Sequence, residues 1–154
     1  MPERSEVQHK AQAPKSVRCY IVTVSDTRTE ETDTSGRAIV KDEPALVRGA
    51  IERQLASMDV QVVIATGGTG ITSRDSTFEA VDALLEKRLD GFGELFRMLS
   101  FQQIGSAAMM SRASAGLAIG KIVISLPGSE AAVRLAMERL LLPELGHLVQ
   151  QASR

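Results

Sequence analysis

Three short segments carry the residue types on which chemistry could be built. Ser25-Asp26 closes one β-branched run, Thr66-Gly67-Gly68-Thr69-Gly70 closes a second, and Pro127-Gly128-Ser129 closes a third. Glycines let a backbone approach a ligand closely and take up positive φ. Amides left free beside a helix N-terminus form a site for anions. The Gly67–Gly70 run therefore reads as phosphate-binding, although a plain tight strand-to-helix turn uses the same residues. Neither the P-loop spacing nor a GxGxxG fingerprint occurs in the chain.

Two aspartates stand near these loops. Asp75 follows the glycine run by five residues at the expected start of a helix, and Asp42 precedes Glu43-Pro44, again just ahead of a helix. Either could simply cap its helix. A carboxylate beside a phosphate site repels its ligand unless a cation bridges them, so two such acids would suggest Mg²⁺, a hard ion that favours oxygen ligands. Arg74 and Arg112 could pair with phosphate or merely be solvated. Glu94 could hydrogen-bond a heterocycle or lie exposed. Cys19 falls within an expected strand and reads as an inert core thiol. His9 and His147 lie toward the ends, where a catalytic histidine is not expected. Met109 and Met110 read as interface or core filler.

The elements that must position these loops follow from periodicity. Residues 17–24, 60–65 and 121–126 are β-branched, apolar runs, as expected of strands buried on both faces of a parallel sheet. Helical spacing covers Glu43 to Ser57 (Leu46, Val47, Ala50, Ile51, Leu55), with Pro44 in its first turn. Ser76 with Glu79 resembles a capping box opening a helix to about Arg88. Phe92 to Ile104 and Glu130 to about Leu142 are further helices, and Pro143 stops or restarts the last. Thr27 to Gly36 reads as a loop whose Asp33-Thr34-Ser35-Gly36 caps a following helix. The repeating βα order predicts an α/β fold: one domain with a central, mostly parallel sheet flanked by helices. Ligands of such sheets sit outside the carboxyl ends of the strands. Residues 1–16 read as a flexible tail and 17–154 as the domain.

Composition narrows the function classes. The chain has 154 residues, 44% of them apolar and 24% charged, with a net charge of −1. That balance excludes bulk disorder and gives no support to nucleic-acid binding. Aromatics are only 3%, too few for base-stacking modules. One cysteine and two histidines disfavour a disulfide framework and a zinc site. No apolar run approaches a membrane span and no hydrophobic signal core opens the chain, so a cytoplasmic location is expected.

Together, Thr23-Val24-Ser25-Asp26-Thr27-Arg28, Asp33-Thr34-Ser35-Gly36, Gly67–Gly70 with Arg74-Asp75, GFGELFRMLSF (91–101) and Leu126-Pro127-Gly128-Ser129 resemble the MoaB/Mog family of molybdenum cofactor biosynthesis. The likeness runs from about Arg18 to Leu145 and is strongest to the MoaB branch. It implies a three-layer α/β domain assembling as homo-trimers or homo-hexamers. Active members are molybdopterin adenylyltransferases, in which the molybdopterin phosphate attacks the α-phosphate of Mg-ATP and pyrophosphate leaves. By position, the resemblance makes Asp42 and Asp75 the catalytic, Mg²⁺-holding pair, with Lys41 where the Mog branch has proline. It assigns Gly67, Gly68, Thr69, Gly70 and Ser129 to nucleotide phosphate. It assigns Ser25, Asp26, Glu94, Ser106, Ser111, Arg112, Pro127 and Gly128 to the pterin or substrate side. Molybdopterin, ATP and other proteins of the same biosynthesis are the implied partners. A non-catalytic pterin- or nucleotide-binding scaffold is the alternative. One departure stands out: Gly36-Arg37 passes directly to Ala38–Asp42, so about a helix and a strand of the family pattern are expected to be missing.

Overall fold

The computed structural model describes residues 10–27 and 38–154; the expected helix cap Asp33–Gly36 lies outside the described residues, as does His9. Strands β1 (Cys19–Val24), β2 (Ala38–Val40), β3 (Val62–Thr66), β4 (Lys87–Arg88), β5 (Ser114–Ala118) and β6 (Lys121–Leu126) form one sheet in the order β2-β1-β3-β6-β5-β4. The first four in that order are parallel, and β5 and β4 add an antiparallel edge. The mostly parallel α/β fold expected from the sequence is thus the fold observed.

Three differences from expectation have local causes. A second strand is present after all: Ala38–Val40 pairs with Val22–Val24, so the chain keeps this edge even though its approach is short. The helix expected to run from Asp75 to Arg88 ends at Asp82, because Leu84 and Leu85 turn the chain so that Lys87-Arg88 can pair with Leu117 and Gly116. Ser114–Ala118 is a strand despite its small residues. Gly116 faces the Lys87 carbonyl and the Leu85 side chain so closely that any Cβ would come within 2.3 Å.

Burial alternates along the central strands. Val62, Ile64, Ile122, Ile124 and Leu126 face one core with helix α3 (Asp90–Ile104), α4 (Glu130–Ala136) and α5 (Leu142–Ala152). Val22, Val24, Val63, Ala65 and Val123 face the other with α1 (Pro44–Leu55) and the short α2 (Thr77–Asp82). This period of two, on both faces at once, makes three layers. Helix α1 buries Val47, Ala50, Ile51 and Leu55, the stripe its spacing predicts, and Pro44 sits in its first turn. Residues 137–141 form a π-turn between α4 and α5, and Pro143 restarts the helix rather than ending it. Residues before β1 lie partly on α5, where Lys10 pairs with Glu144 and the Pro14 carbonyl approaches Gly146. No helix among the described residues is long and apolar enough to cross a membrane.

Candidate functional site

Four neighbouring parallel strands release their chains at one edge, and that places β2's Asp42, β1's Ser25-Asp26, β3's Gly67–Gly70 and β6's Pro127-Gly128 together. The join is tight. Ser25 donates its amide to the Val40 carbonyl at 2.9 Å, and Gly67 donates to Leu126 at 2.8 Å. Gly67 has φ +97°, and a Cβ there would lie 2.2 Å from the Val24 carbonyl oxygen. A Cβ on Gly128 would meet the Gly67 Cα at 3.3 Å. The backbone of three strand ends is therefore packed closely, with no room for a Cβ on Gly67 and little for one on Gly128.

The two aspartates both abut the glycine loop. Asp42 Oδ1 accepts from the Ser76 amide at 3.1 Å and the Ser76 hydroxyl at 2.5 Å. Its Oδ2 has no hydrogen-bond donor among the described residues and lies 2.8 Å from where a Gly68 Cβ would be. Asp75 Oδ2 accepts from the Thr72 amide at 2.9 Å and hydroxyl at 2.7 Å, and would stand 2.7 Å from a Gly70 Cβ. Asp75 Oδ1 is likewise without a donor among the described residues. Glycine at 68 and 70 is thus what lets both carboxylates close on the loop. Among the described residues the Thr77 hydroxyl, buried beside Gly68, finds no hydrogen-bond partner, and neither does that of Thr66.

The expected capping box does not form. Ser76 is the N-cap of α2 but makes no side-chain cap bond, because its hydroxyl is spent on Asp42, and Glu79 turns to Arg112 instead. Asp75 lies one residue before the cap and closes the Thr72–Asp75 turn. Asp26 accepts the Asp42 amide at 3.1 Å and pairs with Arg74 at 2.6 Å. The hydrogen bond from Arg74, with that from the Asp42 amide, holds the Asp26 carboxyl below the usual aspartate range.

Arg112 stands between two depressions. One, about 360 Å³, lies between α3 and β5 and includes Phe78, Leu89, Gly93, Arg97 and Ser111. The other, about 410 Å³, is bounded by Pro44, Ile71, Thr72 and Asp75. Arg112 donates its backbone amide to Thr69 at 3.0 Å and its Nε to the Gly70 carbonyl at 2.8 Å, pairs with Glu79, and lies over the Phe78 ring at 5.1 Å. Its pairing keeps the Glu79 carboxyl below the usual glutamate range. Ser129 caps α4 by accepting from the Ala132 amide at 3.3 Å. Glu94 and Ser106 are exposed, on α3 and on the following 3₁₀ turn, and line neither depression. Met109 is exposed rather than core. Cys19 is half-buried in β1, and burial pushes its thiol pKa up, as suits an inert residue. His147 lies on α5 beside Glu144.

Sequence reasoning did not single out Thr72 and gave Ser76 only a capping role, yet these two residues hold the two carboxylates. The Thr-x-x-Asp spacing of Thr72 and Asp75 is that of a capping box, in which the acid reaches back to the amide three residues before it. Among the described residues no group of three or more His, Cys, Asp and Glu could hold a metal ion. Two carboxylates, each with one oxygen that takes no donor among the described residues, are a donor set that suits Mg²⁺, a hard ion that keeps several waters. The same donor set does not suit zinc.

Known proteins resemble this chain in sequence and in fold. Residues 21–147 match the family described as "Probable molybdopterin binding domain". Molybdenum cofactor biosynthesis protein B of Bacillus cereus is 52% identical over 167 residues, covering 97% of this chain and 99% of the relative. That alignment is longer than the 154 residues of this chain, so the relative carries at least a dozen residues without a counterpart here. A crystal structure of molybdenum cofactor biosynthesis protein B superposes with a TM-score of 0.86 at 52% identity, covering 92% of this chain and 98% of that one. The tungsten cofactor synthesizing protein MoaB of Pyrococcus furiosus superposes with a TM-score of 0.80 at 34% identity, covering 92% and 100%. The chain therefore belongs to the MoaB/Mog family of molybdenum cofactor biosynthesis proteins.

Proposed function

We propose that this chain is a molybdopterin adenylyltransferase that uses Mg-ATP. The observation that carries the reading is the pair Asp42 and Asp75, each with a free carboxylate oxygen, closed on the Gly67–Gly70 loop at the positions where glycine leaves them room. The amides of Gly68, Thr69 and Gly70 donate to no acceptor among the described residues, which suits a loop built for phosphate. In the proposed reaction an oxygen of the molybdopterin phosphate attacks the α-phosphorus of ATP. The bond from that phosphorus to the bridging oxygen breaks, and pyrophosphate leaves with the electron pair. Such a transfer needs alignment and charge neutralisation more than a covalent nucleophile.

Asp42 and Asp75 would hold Mg²⁺, which when bound neutralises triphosphate charge. Ser76 and Thr72 fix the two carboxylates, and Asp26 fixes the Asp42 backbone. The two depressions that share Arg112 offer adjoining places for a nucleotide and a heterocycle. Ser25, Pro127, Gly128 and Ser129 sit at the strand ends facing the same edge, whereas Glu94 and Ser106 are the assignments with least structural support. A homo-trimer or homo-hexamer belongs to the same reading. It is supported by exposed Leu95, Met98, Phe101 and Ile104 at three-residue spacing along α3, followed by exposed Met109 and Met110.

A scaffold without turnover is the second reading. It is favoured by the fact that Asp42 and Asp75 each already serve a structural bond, to Ser76 and Thr72. Incubation with molybdopterin and Mg-ATP separates the two. Adenylylated molybdopterin and pyrophosphate in equal amounts support the enzyme, whereas pterin binding with no product supports the scaffold.

A further inference from the structure

We propose that Arg112 is a positioning residue of the phosphate loop rather than a substrate contact, and that Arg97 on α3 holds it in place. The kinetic part of this inference rests on the adenylyltransferase reading; the structural part does not. Arg112 bonds both ends of the segment that runs from Thr69 to Asp75. Its amide meets the Thr69 carbonyl, Nε the Gly70 carbonyl at 2.8 Å, and Nη2 the Asp75 carbonyl at 3.3 Å. Glu79 and the Phe78 ring hold the rest of the guanidinium. With these bonds made, little of the side chain remains to recognise a ligand. A planar fork can serve acceptors in several directions at once, which an ammonium cannot.

The backbone around Arg112 is held from the other side. Arg97 Nη1 donates to the Ala113 carbonyl at 3.0 Å and more weakly to that of Ser111 at 3.4 Å. In extended chain, carbonyls two residues apart point the same way and the amide between them points the opposite way. Arg97 therefore grips residues 111 and 113 from α3 while the Arg112 amide faces Thr69. Gly93 is the residue that permits this: a Cβ there would lie 2.6 Å from Arg97 Nη2 and 2.8 Å from the Ala113 carbonyl. No carboxylate pairs with Arg97 among the described residues, so this backbone grip is the work the structure gives it.

Amide hydrogen exchange of the free protein tests the brace. Arg112→Lys is expected to speed exchange at Thr72 and Asp75 at least tenfold while β3 and β6 stay protected. Arg97→Lys, whose side chain touches neither amide, is expected to speed them severalfold. Unchanged exchange in both variants overturns the proposal. In the transfer assay, Arg112→Lys should lower kcat tenfold or more with KM for molybdopterin within about twofold. A raised KM with kcat retained would instead make Arg112 a substrate contact. If the parent shows no transfer at all, the adenylyltransferase reading fails, and the exchange result still decides the brace. Should Arg112→Lys fold poorly, Arg97→Lys alone carries the test.

Discussion

Gly67→Ala should destabilise the strand edge on which the whole site is built. The added Cβ would sit 2.2 Å from the Val24 carbonyl oxygen, where carbon–oxygen contacts normally lie at roughly 3.3 Å. Something must yield by about 1 Å, and the obstacle is backbone of a parallel neighbour rather than a flexible side-chain end. The φ of +97° adds a conformational cost of about 1–2 kcal/mol for a residue with a Cβ. Forcing the packing adds about 1–3 kcal/mol. A loss of about 3 kcal/mol corresponds to a fall in Tm of roughly 6–12 °C at this chain length. Gly91→Ala is the matched control, since nothing lies within 4 Å of its added Cβ and it sits in the first turn of α3. Thermal melts followed by circular dichroism compare the two with the parent. A Gly67→Ala protein melting within about 2 °C of the parent would refute the reasoning, as would equal damage from Gly91→Ala.

Other outcomes follow from the same geometry. Gly70→Ala places its Cβ 2.7 Å from Asp75 Oδ2, a movable side chain, so stability should change by no more than about 1 kcal/mol. Transfer activity should nevertheless fall at least tenfold, measured as product formed per minute. Glu79 is held charged below its ordinary range by Arg112, so the pair stabilises the fold above the unfolded glutamate pKa and loses that contribution as pH falls through the lower folded value. Denaturant titrations of the parent and Glu79→Gln should differ by about 0.2–1 kcal/mol at neutral pH and converge in acid, the small size reflecting an exposed pair. Phe101→Glu puts a charge among the exposed apolar residues of α3 and, on the proposed homo-oligomer, should reduce the assembly size seen by analytical ultracentrifugation, leaving the circular dichroism spectrum unchanged.

Much of the fold was legible because the central strands are extreme in composition. Val62–Ala65 and Ile122–Ile124 are β-branched or aliphatic on both faces, which only a covered sheet explains. The edges were not legible. Ala38–Val40 is three residues long, Lys87-Arg88 two, and Ser114–Ala118 is made of small residues whose strand state comes from pairing with β6 rather than from propensity. At the site, the strand ends and glycine loop could be read from residue type and order. The side-chain partners of Asp42 and Arg112 could not, because they depend on contacts between residues 33 to 42 positions apart, whereas Asp75 is held by Thr72 only three residues away. Ser76 illustrates this: local spacing suggested a capping box, while the tertiary contact with Asp42 took the hydroxyl away from it.

The most direct test of the account is single-turnover AMP transfer by Asp42→Asn beside the parent, with folding checked by melting temperature. An Asn Oδ1 can accept both Ser76 hydrogen bonds, so the variant should melt close to the parent while losing the negative charge at Oδ2. The account predicts a fall in transfer rate of a hundredfold or more at saturating Mg-ATP, on the order of 3 kcal/mol of lost charge stabilisation. A well-folded Asp42→Asn protein that transfers AMP at the parent rate would contradict the claim that this carboxylate and the glycine loop together hold the nucleotide for reaction.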